Sequence, residues 1–310
     1  MNLIIVFPGQ GTQYVGMAST LKDLPLYGQI DASVGYALTN LMQNGPAEEL
    51  KLTENTQPAI VAHSLLLAEK LNHILAAKNL KPKAVLGHSV GEYSALAFAG
   101  AISFADALRA VHYRGKFMQE ASPQGKGTMY AILKQEASLI VESCQLASTT
   151  TEMVSAANFN EPSQIVISGD KPACERAIKI MEEKTGARVK AIELQVSAPF
   201  HSALMKPAEG KMSELFQTLS FKSNTIPYLA NVDAQLYAAN TDPTIIKKNL
   251  LEQICGSVLW TQSIQTLSSD SIIIECGPGK VLAGLIKKIN PELKVISLDT
   301  ETGLQEVEAL

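Results

Sequence analysis

The stretch from Lys83 to Gly100 constrains this chain more than any other, because it forces a strand, a sharp turn and a helix into one short segment. Ala84, Val85 and Leu86 form the brief apolar run of a buried parallel strand. Gly87-His88-Ser89-Val90-Gly91 follows and fits G-x-S-x-G. Glu92 to Ala99, rich in Ala and Leu and closed by Gly100, predicts a helix with a stop. A serine between two glycines at a strand-to-helix turn is a nucleophile elbow. The glycines allow strand and helix to approach closely across the turn. Ser89 then stands at a helix N-terminus, where free N–H groups and the dipole favour developing negative charge. The plainer alternative is a structural turn serine, and the flanking strand and helix weigh against it.

The rest of the chain bounds the function class. Its 310 residues suit one large domain, or a large domain with an insertion. Lys plus Arg is 26 and Asp plus Glu is 30, and no basic block occurs, which argues against nucleic-acid or membrane-surface binding. Cys144, Cys174, Cys255 and Cys276 form no C-x-x-C pair and no metal-ligand spacing, so reduced thiols and no metal are expected. Leu3 to Phe7 is too short for a signal segment or a membrane span and reads as a first strand stopped by Pro8-Gly9. A soluble, cytoplasmic monomer is the expectation.

After the first strand, Gly9-Gln10-Gly11-Thr12-Gln13 is a glycine-rich turn. It is either an ordinary loop or a source of backbone N–H donors at the C-terminal edge of a sheet, where α/β proteins place ligands. Residues 14–80 are mostly helical, with Thr56-Gln57-Pro58 opening a helix that runs from Ala59 to Leu75 and presents Ile60, Ser64, Leu67 and Leu71 on one stripe. Ser103 is placed to cap a helix from Phe104 to about Glu120. Ser89 to Ala99 and Phe104 to Arg114 each span ten residues, about 15 Å of helix. If these helices are antiparallel neighbours, Arg114 returns to the level of Ser89. A guanidinium there suits a substrate carboxylate; the alternative is a surface arginine at a helix end.

Ser122 to Gly127 is a flexible break. Beyond it come a strand at 128–133, a helix at 137–147, a strand at 153–157, a turn at Asn158 to Pro162, a strand at 164–168, a helix at 172–184 and a strand at 188–194. That β-α-β-β-α-β order is the ferredoxin-like unit. It places a small domain at 126–195, inserted into a large domain made of 1–125 and 196–310. His201 lies on the loop at the return to the large domain, where clefts usually form. A nucleophilic serine needs a base, and His is the usual one. His63 and His73 read as surface or core residues, His88 as pointing away from the elbow, and His112 as facing elsewhere, which leaves His201. No Asp or Glu stands out as an orienting third member, and a backbone carbonyl can serve instead. The remainder reads as a strand at 228–232, a helix at 242–251, a strand at 272–275, a helix at 281–289, a short strand at 294–297 and a tail.

Together these residues resemble the malonyl-CoA:acyl carrier protein transacylase family. The resemblance rests on Phe-Pro-Gly-Gln-Gly-Thr-Gln at 7–13, Gly-His-Ser-Val-Gly-Glu-Tyr-Ser-Ala at 87–95, Arg-Gly-Lys-Phe-Met-Gln-Glu-Ala at 114–121, Asn-Phe-Asn at 158–160, Pro-Phe-His-Ser-Ala-Leu-Met at 199–205 and Gly-Pro-Gly-Lys-Val-Leu at 277–282. It implies an α/β-hydrolase-like large domain with a ferredoxin-like insertion. It also implies Ser89 as nucleophile, His201 as base and Arg114 as the partner of a malonyl carboxylate. By the same resemblance the Gln10 and Val90 amides form the oxyanion hole, and the Gln253 main-chain carbonyl orients His201. Asn158 and Asn160 match positions at the cleft mouth, with a turn role as the alternative. Phe200 is similar to the bulky ring of malonyl-selective members. Malonyl-CoA and acyl carrier protein are the implied partners, with no cofactor beyond the coenzyme A thioester itself. Val90 stands where leucine is commoner, and Cys255-Gly256-Ser257-Val258 departs from an Asn-Pro-Val pattern. Hydrolysis of stalled acyl thioesters is the alternative activity, and a non-catalytic carrier-binding module the alternative class.

Overall fold

The computed structural model describes residues 2–123, 125–300 and 302–310. Among the described residues ten strands follow in chain order: β1 (Asn2–Phe7), β2 (Ala84–Gly87), β3 (Gly127–Leu133), β4 (Val154–Glu161), β5 (Gln164–Asp170), β6 (Lys190–Glu193), β7 (Tyr228–Leu229), β8 (Leu236–Tyr237), β9 (Ser271–Glu275) and β10 (Lys294–Ser297). Six of them form one sheet in the order β10-β9-β1-β2-β7-β8, parallel except for β8, which turns back along β7. The other four form an antiparallel sheet in the order β4-β5-β3-β6.

The parallel sheet is buried on both faces, which explains its unbroken apolar strands. Alternate residues point to opposite faces. Leu3, Ile5, Phe7 and Val85 meet the long helix Thr53–Ala77 and the layer around it, whereas Ile4, Val6, Leu86 and Ile273 pack on Trp260, Leu282 and Ile286. The antiparallel sheet packs one face on the helices Ala137–Ala147 and Lys171–Thr185, through Ile132, Ile165, Ile167, Cys144, Cys174 and Met181. Its opposite face, carrying Met129, Ala131 and Val166, joins the main core. Mixed α/β architecture with a ferredoxin-like strand order is therefore present, as the sequence implied. All four thiols are free, and burial pushes Cys144 and Cys174 up to about 12.

Several local expectations need correction. The helix expected to open at Thr56 starts at Thr53, so Pro58 lies inside it. Proline leaves the Glu54 carbonyl without its helical donor, and His112 Nδ1 approaches that oxygen at 3.1 Å instead. Burial in this helix extends around residues 56–68 rather than along one stripe, because it runs through the core. Asn158 and Asn160 are in β4, not in a turn; the strand continues through register shifts at Ala156/Asn158 and Phe159/Glu161. Those irregularities accompany a second ladder, in which Phe159 N donates to Val258 O at 3.0 Å and Val258 N to Ala157 O at 2.8 Å. The Ser103 hydroxyl caps the helix Phe104–Glu120 as expected, at 3.1 Å from Asp106 N. The helix expected to end at Leu251 runs Pro243–Cys255. The strand expected over 228–232 is only β7, because the backbone turns after it, Ala234 N donating to Ala230 O at 3.1 Å. Trp260–Gln265 is an unexpected helix, and the expected tail holds the helix Gly303–Glu308, with Val307 buried.

Candidate active site

Ser89 sits just beyond the C-terminal end of β2, with φ at 52°. A non-glycine residue in that left-handed region is strained and is kept there by its surroundings. Two glycines set the shape. A Cβ on Gly87 would lie 1.9 Å from the Gly91 carbonyl carbon, and one on Gly91 would lie 2.2 Å from Phe7 O. Asn231, two residues beyond the neighbouring strand β7, clamps the turn: Ser89 N donates to its Oδ1 at 2.8 Å, and its Nδ2 donates to Gly87 O at 2.7 Å.

His201 lies across the turn, also at positive φ, 57°. Its Nε2 is 2.7 Å from Ser89 Oγ, and its Nδ1 is 2.8 Å from the Gln253 main-chain oxygen. That oxygen can only accept, so Nδ1 carries the proton and Nε2 is free to take one from serine. The carbonyl is available for a simple reason. The helix Pro243–Cys255 ends two residues later, and the last carbonyls of a helix lack intrahelical donors. His201 is only 4% exposed. Burial, reinforced by the Arg114 cation, pushes it down to about 3.

Arg114 returns along its helix to the level of the elbow, and its Nη2 donates to Ser89 Oγ at 3.1 Å. Nη2 also donates to Gln253 Oε1 at 2.8 Å, and Nη1 to Gln57 Oε1 at 2.9 Å. The guanidinium carbon lies 5.8 Å from the centre of the Tyr93 ring. Arg114 is 1% exposed, yet among the described residues no carboxylate lies within 4 Å of its nitrogens. Burial holds its pKa below the usual guanidinium value.

A cleft of about 410 Å³ opens over these groups, lined in part by Gln10, Val90, Met118, Asn158, Phe200 and Val166. The Gln10 and Val90 N–H groups have no acceptor among the described residues, so both remain available to a ligand. Asn158 and Asn160 stand on the wall formed by the antiparallel sheet. His88, expected to point away, also lines the cleft: its Nε2 lies 2.8 Å from Asn160 Oδ1 and its ring 5.5 Å from that of Trp260. Every predicted site residue thus borders one space or supports it. Gln57, Glu92 and Asn231 were missed. Asn231 and Glu92 carry a faint signal, as polar residues in segments otherwise read as buried; Gln57 carries none beyond its helix. Among the described residues no group of three His, Cys, Asp or Glu side chains could hold a metal.

A family model described as acyl transferase domain matches residues 4–282. A protein from Haemophilus influenzae named malonyl CoA-acyl carrier protein transacylase is 42% identical, spanning 98% of this chain and 97% of that protein. A solved acyl carrier protein S-malonyltransferase from Vibrio cholerae superposes with a TM-score of 0.89 at 39% identity, covering 99% of this chain and 100% of that one. A malonyl-transacylase solved in complex with its type II polyketide synthase acyl-carrier protein gives 0.89 at 36% identity, covering 100% and 99%.

Proposed function

Since the chain belongs to the acyl transferase domain family, we propose that it moves malonyl from malonyl-CoA to the phosphopantetheine thiol of acyl carrier protein through an ester on Ser89. The observation that carries this reading is Arg114: a buried cation beside the nucleophile, held by two neutral amide oxygens and lacking a carboxylate. A buried charge whose nearest carboxyl, Glu92, stands behind the Gln253 amide rather than in contact is costly, and a malonyl carboxylate supplies a direct partner through a two-pronged contact. The same cation disfavours the alternative of hydrolysing uncharged acyl chains.

The chemistry follows from the bonds around Ser89. His201 Nε2 takes the hydroxyl proton as Oγ attacks the thioester carbon. The carbonyl oxygen gathers negative charge, which the free N–H groups of Gln10 and Val90 receive; losing one such donor costs about 3–4 kcal/mol of transition-state stabilisation. The carbon–sulfur bond breaks, and His201 returns the proton to the departing coenzyme A thiolate. A malonyl-Ser89 ester remains. The phosphopantetheine thiol then enters, gives its proton to His201, and attacks the ester; the proton returns to Ser89 Oγ as that bond breaks. The reaction needs no resident cofactor, because coenzyme A arrives as part of the substrate. No described helix is long and apolar enough to cross a membrane, and the reading takes the protein as a cytoplasmic monomer.

Asn158, Asn160 and Phe200 are assigned to the cleft wall that receives the acyl group and its carrier arm, supported by their places around the cavity. The small domain is assigned to 126–195, supported by β3 to β6 all falling within that range. The test is intact-mass measurement after mixing with malonyl-CoA, acetyl-CoA and other acyl-CoAs. Wild type is expected to gain a malonyl adduct that discharges to acyl carrier protein, and Ser89→Ala to gain none. An adduct that vanishes in water as fast without carrier as with it would make the protein a hydrolase.

A further inference from the structure

One carboxyl group beneath the cleft takes no part in these steps. Glu92, on the helix Gly91–Phe98 that begins at the elbow, is 1% exposed. Its Oε2 accepts from Gln253 Nε2 at 2.6 Å and from Asn231 N at 3.2 Å. Its Oε1 has no partner among the described residues. Gln253 is fully buried as well, and its amide is a two-ended connector. Nε2 faces Glu92 and also donates to Ser89 O at 3.0 Å, while Oε1 faces Arg114 Nη2 at 2.8 Å.

An amide has one donating and one accepting end, and a guanidinium only donates. Reversing the Gln253 amide would set an NH₂ against Arg114 and a carbonyl oxygen against a carboxyl group. Both contacts would be lost inside a buried site, where an unmade hydrogen bond is expensive. The Glu92 oxygen, acting with Ser89 O and the donor-only guanidinium, therefore fixes which end of Gln253 meets Arg114. The Glu92 carboxyl can do this ionised or protonated, since a proton can sit on the unpartnered Oε1; burial pushes its pKa up to about 7 against the pull of the Gln253 and Asn231 bonds. The same Gln253 residue holds His201 through its main chain.

We propose that Glu92 is a positioning residue: by fixing the Gln253 amide it aims the Arg114 guanidinium at the acyl-group carboxylate, and so sets the preference for malonyl over uncharged acyl groups. This inference rests on the acyl-transfer reading above.

The experiment measures Ser89 acylation by malonyl-CoA and acetyl-CoA in wild type, Glu92→Met, Glu92→Asp and Glu92→Gln, with folding checked by circular dichroism. Glu92→Met removes the acceptor, and Glu92→Asp keeps the charge but falls short of Gln253. Both are expected to lower the malonyl-to-acetyl ratio of kcat/KM about ten-fold or more, chiefly through a higher KM for malonyl-CoA. Glu92→Gln can still accept through its amide oxygen and is expected to keep most of the ratio. A purely structural role would lower both substrates together and leave the ratio unchanged; that result overturns the proposal. So does a Glu92→Gln ratio as low as that of Glu92→Asp, which would make charge rather than orientation the cause. Glu92→Asp against Glu92→Gln decides the matter even where Glu92→Met does not fold. Wild type that forms no malonyl-Ser89 would remove the underlying reading itself, a distinct failure.

Discussion

At the scale of single residues the site is governed by one cation and one neutral imidazole in a shared dry space. Burial and the nearby Arg114 hold His201 at about 3, below its ordinary 6.5. A lowered value keeps the base unprotonated as pH falls through 6.5. The acid limb of kcat/KM, which reports the free enzyme, is therefore expected well below 6.5. A bound malonyl carboxylate offsets the Arg114 charge, so the limb in kcat should lie higher. Arg114→Ala removes a cause of the depression and is expected to move the kcat/KM limb up toward 6.5. The same variant should lower malonyl-CoA acylation by about 30- to 5,000-fold, the effect of truncating a buried charge partner by about 2–5 kcal/mol, while acetyl-CoA loses far less. Rates across about pH 4 to 8 check both statements; equal losses for the two substrates would sink the carboxylate role. That Ser89 and Arg114 would share one site was legible because a motif and a helix length point to it, and that His201 would join them because few histidines lie on loops. Gln57 and Asn231 were not, because each acts by meeting a group more than fifty positions away.

At the scale of elements the elbow is the decisive construction. Strand β2 and the helix Gly91–Phe98 touch backbone to backbone, and no side chain fits between them. Gly87→Ala is expected to abolish Ser89 acylation and lower the melting temperature, since a Cβ 1.9 Å from the Gly91 carbonyl carbon must displace main chain rather than a side-chain tip. Asn231→Ala should be milder in fold yet visible in rate. It leaves the Ser89 N–H and the Gly87 carbonyl unpaired, at about 1–3 kcal/mol each. Thermal melts alongside acylation rates separate the two effects. Most elements were legible from period and caps, as at Ser103. The failures share a cause. Pro58 sits inside a helix because His112 approaches the freed carbonyl, and β4 runs past Ala157 because residues 257–261 pair with it. Each depends on a distant partner that overrides local preference.

At the scale of the whole molecule the cleft exists because the antiparallel sheet and the His201 loop wall in the elbow at the C-terminal edge of the parallel sheet. The parallel sheet brings the elbow, the antiparallel sheet brings Met129, Asn158 and Val166, and the loop brings Phe200. Phe200→Ala opens that wall and is expected to raise methylmalonyl-CoA use relative to malonyl-CoA by about 10- to 200-fold, the range for one methyl in an apolar pocket; competition between the two thioesters measures it, and an unchanged ratio removes Phe200 from selectivity. The sequence by itself determined most of the strands and helices, their order and which hydroxyl stands at the elbow, because propensity, period and turn chemistry act over a few neighbouring residues. Only the tertiary structure decided which amides hold Arg114, which side chain clamps the elbow and which carboxyl orients Gln253. Hydrogen-bond partners are chosen by position in space, and inside a dry core every donor and acceptor must find one from whatever the fold brings within about 3 Å.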